Sequence, residues 1–143
     1  MKKALVTLSL LAVLTPLAWG QKYNIQFVIP TGGRQDSVMY IGQHYRDGFI
    51  KMDSATLGKE GTYTFKGRRK WPKGIYSLID ISATRSWLDF TIDDSQVFTF
   101  RLTPTIEVAD PQKDIVGSAA NQAMYTYKNR FNDATKRARD IEK

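Results

Sequence analysis

The sequence predicts a mainly β protein: an antiparallel β-sandwich or open barrel of seven to eight strands with a C-terminal amphipathic helix. Three observations predict it. Short stretches with an apolar residue at every second position recur between Tyr23 and Val116, which is the period of a strand with one buried face. Clusters of Gly, Pro, Asp and Ser divide these stretches at short, even intervals, as in sandwiches and barrels. Beyond Gly117 the apolar residues recur at spacings of 4 and 3, the period of one helix face.

The first strand, over 23–30, sets Tyr23, Ile25, Phe27 and Ile29 on one face and Asn24, Gln26 and Val28 on the other. Thr31-Gly32-Gly33-Arg34-Gln35-Asp36 is a turn-rich break. A second strand covers 37–45, and Arg46-Asp47-Gly48 marks a hairpin, because Asp-Gly tolerates the positive φ of tight turns. A third strand follows over 49–57, and a fourth over 62–66 beyond the turn at Gly58-Lys59-Glu60-Gly61. Pro72-Lys73-Gly74 leads into a strand over 75–82. Strands over 87–92 and 97–102 flank Asp93-Asp94-Ser95, and stretches 105–109 and 113–116 are read as closing strands. Tyr23, Tyr40, Tyr63, Phe65, Trp87, Phe90, Phe98 and Phe100 sit at strand spacing and are expected mainly in the core.

Ser118 is expected to cap a helix over 118–143, since its hydroxyl can accept from a free N–H of the first turn. The stripe is Ala120, Met124, Tyr127, Phe131, Ala134, Ala138 and Ile141. Its bulky members, Met124, Tyr127 and Phe131, are expected to lie on the sandwich. Ala134, Ala138 and Ile141 are left as a docking face for a flat partner. A helix of about 26 residues, roughly 39 Å long at 1.5 Å per residue, exceeds what one sandwich needs, so either its end frays in water or it is a connector to something absent, and the connector is the reading taken.

Residues 1–20 have the three parts of a secretory signal peptide. Lys2 and Lys3 give a positive start, Ala4–Leu14 is an apolar and small-residue run, and Ala18-Trp19-Gly20 places small residues before a cut after Gly20. The run is too short to span a membrane, which takes roughly 20 residues, so no transmembrane anchor is expected. The remaining part, 21–117 followed by the helix, is one domain in a periplasmic or secreted protein. The chain has no cysteine, so a secreted domain of this size must rest on its core rather than on disulfides. Net charge is +7, and removing Lys2 and Lys3 leaves +5. Export makes nucleic acid an unsuitable partner for that charge, and anionic glycan, lipid headgroups or an acidic protein remain.

The residues form no catalytic constellation. Without Cys-x-x-Cys the chain lacks the groups for thiol–disulfide exchange. His44 is the single histidine; it lies mid-strand with no nucleophile motif beside it, and one histidine without cysteine makes no ordinary zinc site. No metal or other cofactor is expected. Asp80, Asp89, Asp93, Asp94 and Glu107 are candidates for a carboxylate pair by residue type alone. The densest basic run is Lys66-Gly67-Arg68-Arg69-Lys70-Trp71. Arg68, Arg69 and Lys70 could attract an anionic polymer or headgroup while Trp71 stacks on it. Arg85, beside Trp87 in the next hairpin, could join that patch. A solvated hairpin loop is the simpler account of the same run.

The order of short motifs carries a resemblance. Tyr23-Asn24-Ile25-Gln26-Phe27 is followed by Val38-Met39-Tyr40-Ile41-Gly42, a Gly-x-Tyr-x-Phe-x-Gly hairpin at 61–67 and Gly74-Ile75-Tyr76. Phe90-x-Ile92-Asp93-Asp94 and Gly117-Ser118-x-x-Asn121 complete the set. From Tyr23 onward the chain resembles the N-terminal β-sandwich found ahead of thioredoxin-like domains in exported thiol–disulfide oxidoreductases of Gram-negative bacteria, the TlpA/ResA-like group. That family holds its redox centre in the downstream domain, which these 143 residues lack, so no catalytic residue carries over. The resemblance implies a non-catalytic accessory domain whose helix leads toward, or docks on, a thioredoxin-like partner. The same helix face could pair two copies. The alternative is a stand-alone module for envelope glycan or anionic lipid, and a third reading is a hydrolase whose site is not visible in the sequence.

Overall fold

A computed structural model describes residues 22–141. The signal peptide reading falls on 1–20, outside the described residues, as do Glu142 and Lys143 at the end of the expected helix. Among the described residues, eight strands form two four-stranded sheets, and a long helix follows them. The architecture is a β-sandwich with a C-terminal helix.

The strands are β1 (Tyr23–Val28), β2 (Val38–Tyr45), β3 (Gly48–Thr56), β4 (Thr62–Gly67), β5 (Gly74–Ile79), β6 (Ser86–Ile92), β7 (Val97–Arg101) and β8 (Ile115–Val116). One sheet has the order β4-β1-β7-β8 and the other β3-β2-β5-β6. Every pairing is antiparallel except β1 with β7, where Ile25 lies opposite Phe98 and Phe27 opposite Phe100. Parallel neighbours need a long crossover, and the whole second sheet supplies it. The hairpin at 46–48 forms, but its left-handed residue is Arg46 (φ 51) rather than Asp47 or Gly48.

Alternation along the strands fills the space between the sheets. Ile25, Phe27, Tyr63, Phe65 and Phe100 of the first sheet meet Met39, Ile41, Tyr76, Leu78 and Phe90 of the second, all fully or almost fully buried. Phe27 lies at the centre, with ring centroids 5.3 Å from Phe90 across the gap and 5.4 Å from Phe100 beside it. Tilted and edge-on contacts of this kind add a little beyond the buried area.

The expected strand over 105–109 is a loop. Ile106 takes φ 60, which no extended residue has. Thr103 N donates to Glu107 O at 2.9 Å, and Glu107 N donates to Thr103 Oγ1 at 3.1 Å, closing a tight turn. Ile106 and Val108 are buried beneath it, so their spacing imitates a strand. The stretch 113–116 is in part a short helix, α1 (Pro111–Asp114), and only its last two residues form β8.

Four tyrosines make the domain sensitive to alkali. Burial raises the hydroxyl pKa of Tyr23, Tyr63, Tyr76 and Tyr125, and for Tyr23, whose OH also donates to Asp53 at 2.8 Å, to about 12. An acid whose folded pKa exceeds its unfolded value near 10 stabilises the fold fully below pH 10 and loses that contribution as pH climbs through the folded value. The urea midpoint is therefore expected to hold steady from pH 8 to 9.5 and to fall steeply above 10. A midpoint unchanged at pH 11.5 would contradict this account.

Candidate functional site

The long helix, α2 (Ala119–Ile141), begins where expected. Ser118 Oγ accepts from Asn121 N at 3.2 Å, satisfying one of the free N–H groups of the first turn. Its packing face is not the expected one. Asn121 is fully buried and acts on β6 as a further strand would. Its Oδ1 accepts from Thr91 N at 2.8 Å, and its Nδ2 donates to Thr91 O at 2.9 Å and to Ser118 Oγ at 2.9 Å. One turn on, Tyr125 OH donates to Asp89 O at 2.6 Å, also on β6. Another turn on, Asn129 Nδ2 donates to Val108 O at 3.0 Å. Residues four apart share a helix face, so Asn121, Tyr125 and Asn129 form one ladder along the open edge of β6 and the loop beside it. Unpaired strand edges invite foreign strands, and α2 closes this one.

Tyr127 and Phe131 therefore do not lie on the sandwich, which corrects the expectation above; Met124 alone of the three is partly buried against the core. At about 100° per residue, the positions 127, 131, 134, 138 and 141 project roughly 160 to 240° around the axis from Tyr125. They form a seam on the side facing away from the domain. Tyr127 is 70% exposed, Phe131 60% and Ile141 85%, and Ala134 and Ala138 are exposed between them. The rings of Tyr127 and Phe131 stack on each other, 6.4 Å between centroids and 22° between planes. Ala134, Ala138 and Ile141, expected as a docking face, thus lie in solvent, and the exposed seam begins two members of the stripe earlier, at Tyr127.

The basic loop has a different fate. Arg68, Arg69 and Lys70 are exposed between β4 and β5. Trp71 is 8% exposed and is not available as a stacking platform, which corrects its assignment to the patch. Its ring lies 4.8 Å from Tyr23 and 5.2 Å from Tyr76. Gln96 clamps its backbone: Oε1 accepts from Trp71 N at 2.9 Å and Nε2 donates to Trp71 O at 2.8 Å. Nor does Arg85 join the patch. The loop over 67–73 enters β5 at Gly74, whereas Arg85 precedes β6 at the Ile79 end, about 17 Å away at 3.3 Å per residue. Carboxylates face the loop instead. Lys73 pairs with Asp94 at 2.9 Å in full solvent, and this ammonium holds the Asp94 carboxyl below its ordinary range.

Arg85 lies 5.6 Å from the centre of the Trp87 ring, and Arg34 lies closer, at 3.9 Å. Arg34 also bridges Asp36 at 2.9 Å and Asp80 at 3.3 Å, which ties the loop after β1 to the turn before β6. The sequence alone gives no sign of this role for Arg34, because Asp80 and Trp87 are 46 and 53 residues distant along the chain.

His44, Ser77 and Asp89 come together, but not in the order of a nucleophile relay. Ser77 is buried and donates to Asp89 Oδ1 at 2.6 Å, while His44 Nε2 lies 3.4 Å from the same hydroxyl. In a relay the carboxylate orients the histidine and the histidine takes the hydroxyl proton; here the carboxylate already holds it. Asp80 binds the Ser82 hydroxyl, and Asp93 and Asp94 lie beyond the opposite end of β6. Glu107 lines a cleft of about 560 Å³ between the 103–109 loop and α2, floored by Trp87 and Tyr125. Among the described residues no cluster of His, Asp and Glu could hold a metal ion, and no helix is long and apolar enough to cross a membrane. Comparison of the chain with protein-family models, curated proteins and solved structures finds no match.

Proposed function

We propose that this chain is a non-catalytic accessory domain of the bacterial periplasm that docks a thioredoxin-like domain along the outward seam of α2. The observation that carries the reading is the seam itself. Tyr127, Phe131 and Ile141 stand in water on a helix already anchored through its other face. Two large stacked aromatics on an anchored helix make a ready centre for an interface, since buried aromatics dominate binding energy. The sandwich positions that seam but does not use it. The family resemblance supplies the kind of partner.

A photo-crosslinking residue at position 134, with Lys59 as the control position on the far turn, tests the reading in the intact chain in its native host. Adducts with a Cys-x-x-Cys thioredoxin-like polypeptide at 134 and not at 59 are expected. No adduct at 134, or equal adducts at both positions, would overturn it.

A further inference from the structure

We infer that the element seated on the α2 seam is an acidic amphipathic helix, packed against α2 as in a two-stranded coiled coil. The inference rests on the docking reading above and names the chemistry of the partner surface.

The width of the seam selects a helix. Tyr127, Phe131, Ala134, Ala138 and Ile141 follow the 4-3-4-3 spacing of alternating d and a positions. A strict a and d stripe is narrower than the face that covers a domain core and matches one partner helix. It is also narrower than the face of a helix lying in a lipid surface, which carries larger apolar residues. The alanines at 134 and 138 let a second backbone approach closely, since the distance between packed helices follows the side chains at the contact. From Tyr127 to Ile141 the seam runs about 21 Å at 1.5 Å per residue, two heptads of partner.

The charge beside the seam selects the partner's sign. Arg130 and Arg137 occupy the g positions, where cross-helix ion pairs set partner choice. Lys128 stands at e, but its ammonium turns toward the sandwich side, 5.0 Å from the Tyr125 ring centre, so the two arginines carry the selection. Thr135 is the remaining e position, so no carboxylate flanks the seam between Tyr127 and Ala138. Across α2 there are five Lys and Arg against two Asp, a net charge of +3. A second copy would bring a helix of +3 against another of +3, and its antiparallel arrangement would face Arg130 and Arg137 with their own copies. A helix with Glu at its e and g positions meets the same arginines with complementary charge.

Two synthetic three-heptad peptides, both with Leu at a and d, one with Glu and one with Lys at e and g, test this on the whole chain by fluorescence anisotropy. The Glu peptide is expected to bind at least tenfold more tightly, with affinity falling as salt rises. Tyr127→Ser with Phe131→Ser should abolish binding without loss of fold, since both rings are in solvent. Arg130→Glu with Arg137→Glu should reverse the preference, which generic stickiness would not do. Equal binding of both peptides, or of neither, overturns the inference. So does a seam-dependent dimer in sedimentation, or stronger seam-dependent binding to phosphatidylglycerol vesicles. If the peptides fail while position 134 still captures the thioredoxin-like partner, docking stands and the acidic helix does not.

Discussion

Asn121→Ala is expected to destabilise the domain by about 3 kcal/mol and to lower the melting temperature by about 10 to 15 °C. The side chain makes three hydrogen bonds at 2.8 to 2.9 Å, and its removal leaves the Thr91 N–H and C=O without partners at the join of α2 and β6. Orphaned backbone groups of this kind cost about 1 to 3 kcal/mol each, reduced where water reaches the opened edge. The effect should be local as well as global. The Thr91 amide is expected to exchange hydrogen far faster, while amides in β1 change only with overall stability. Asn121→Asp should be nearly as harmful, because a carboxylate oxygen replaces the Nδ2 that donates to Thr91 O. Loss of less than about 1 kcal/mol with a protected Thr91 amide would show that the ladder on β6 does not hold the helix.

That ladder also explains what was legible in the sequence. Each strand with apolar residues at period two was visible, because a buried face leaves a record in residue type. The helix is visible for the same reason, but Tyr127 and Phe131 are legible only as apolar members of its stripe and not as exposed ones. From Tyr127 onward its apolar stripe marks the face turned to solvent, while the face against the sandwich is Asn121, Tyr125 and Asn129, bonding backbone groups of β6 and Val108. A search for apolar periodicity assigns core to the former and passes over the latter. The signal was present as two asparagines and a tyrosine at spacing four after a Ser cap. Trp71 illustrates the opposite case. Its basic neighbours suggested a surface, yet Gln96, 25 residues on, fixes it inside. Ile106 shows a limit of pattern reading, since a buried loop with one left-handed residue and a strand leave the same alternation.

Gly61→Ala is expected to cost about 4 kcal/mol or more, whereas Gly32→Ala should cost about 1 kcal/mol. Both glycines have positive φ, +74 and +94, so both substitutions place an L residue in the left-handed region, at a cost of about 1 to 2 kcal/mol. They differ in surroundings. A Cβ on Gly32 would meet nothing within 4 Å, whereas one on Gly61 would overlap the Ile29 carbonyl oxygen. That carbonyl accepts from Gln35 Nε2 at 3.0 Å, and Ile29 N donates to Gly61 O at 2.9 Å. Ile29 is fully buried, so it cannot retreat without opening the core beyond β1. The new methyl must therefore break both hydrogen bonds or displace a core residue, and a close-packed interior resists either. Urea unfolding of the two variants separates conformational strain from steric overlap, since only the second differs between them. A similar loss at both positions would mean that φ alone sets the cost and that the crossing of Gly61 over Ile29 is looser than its geometry implies.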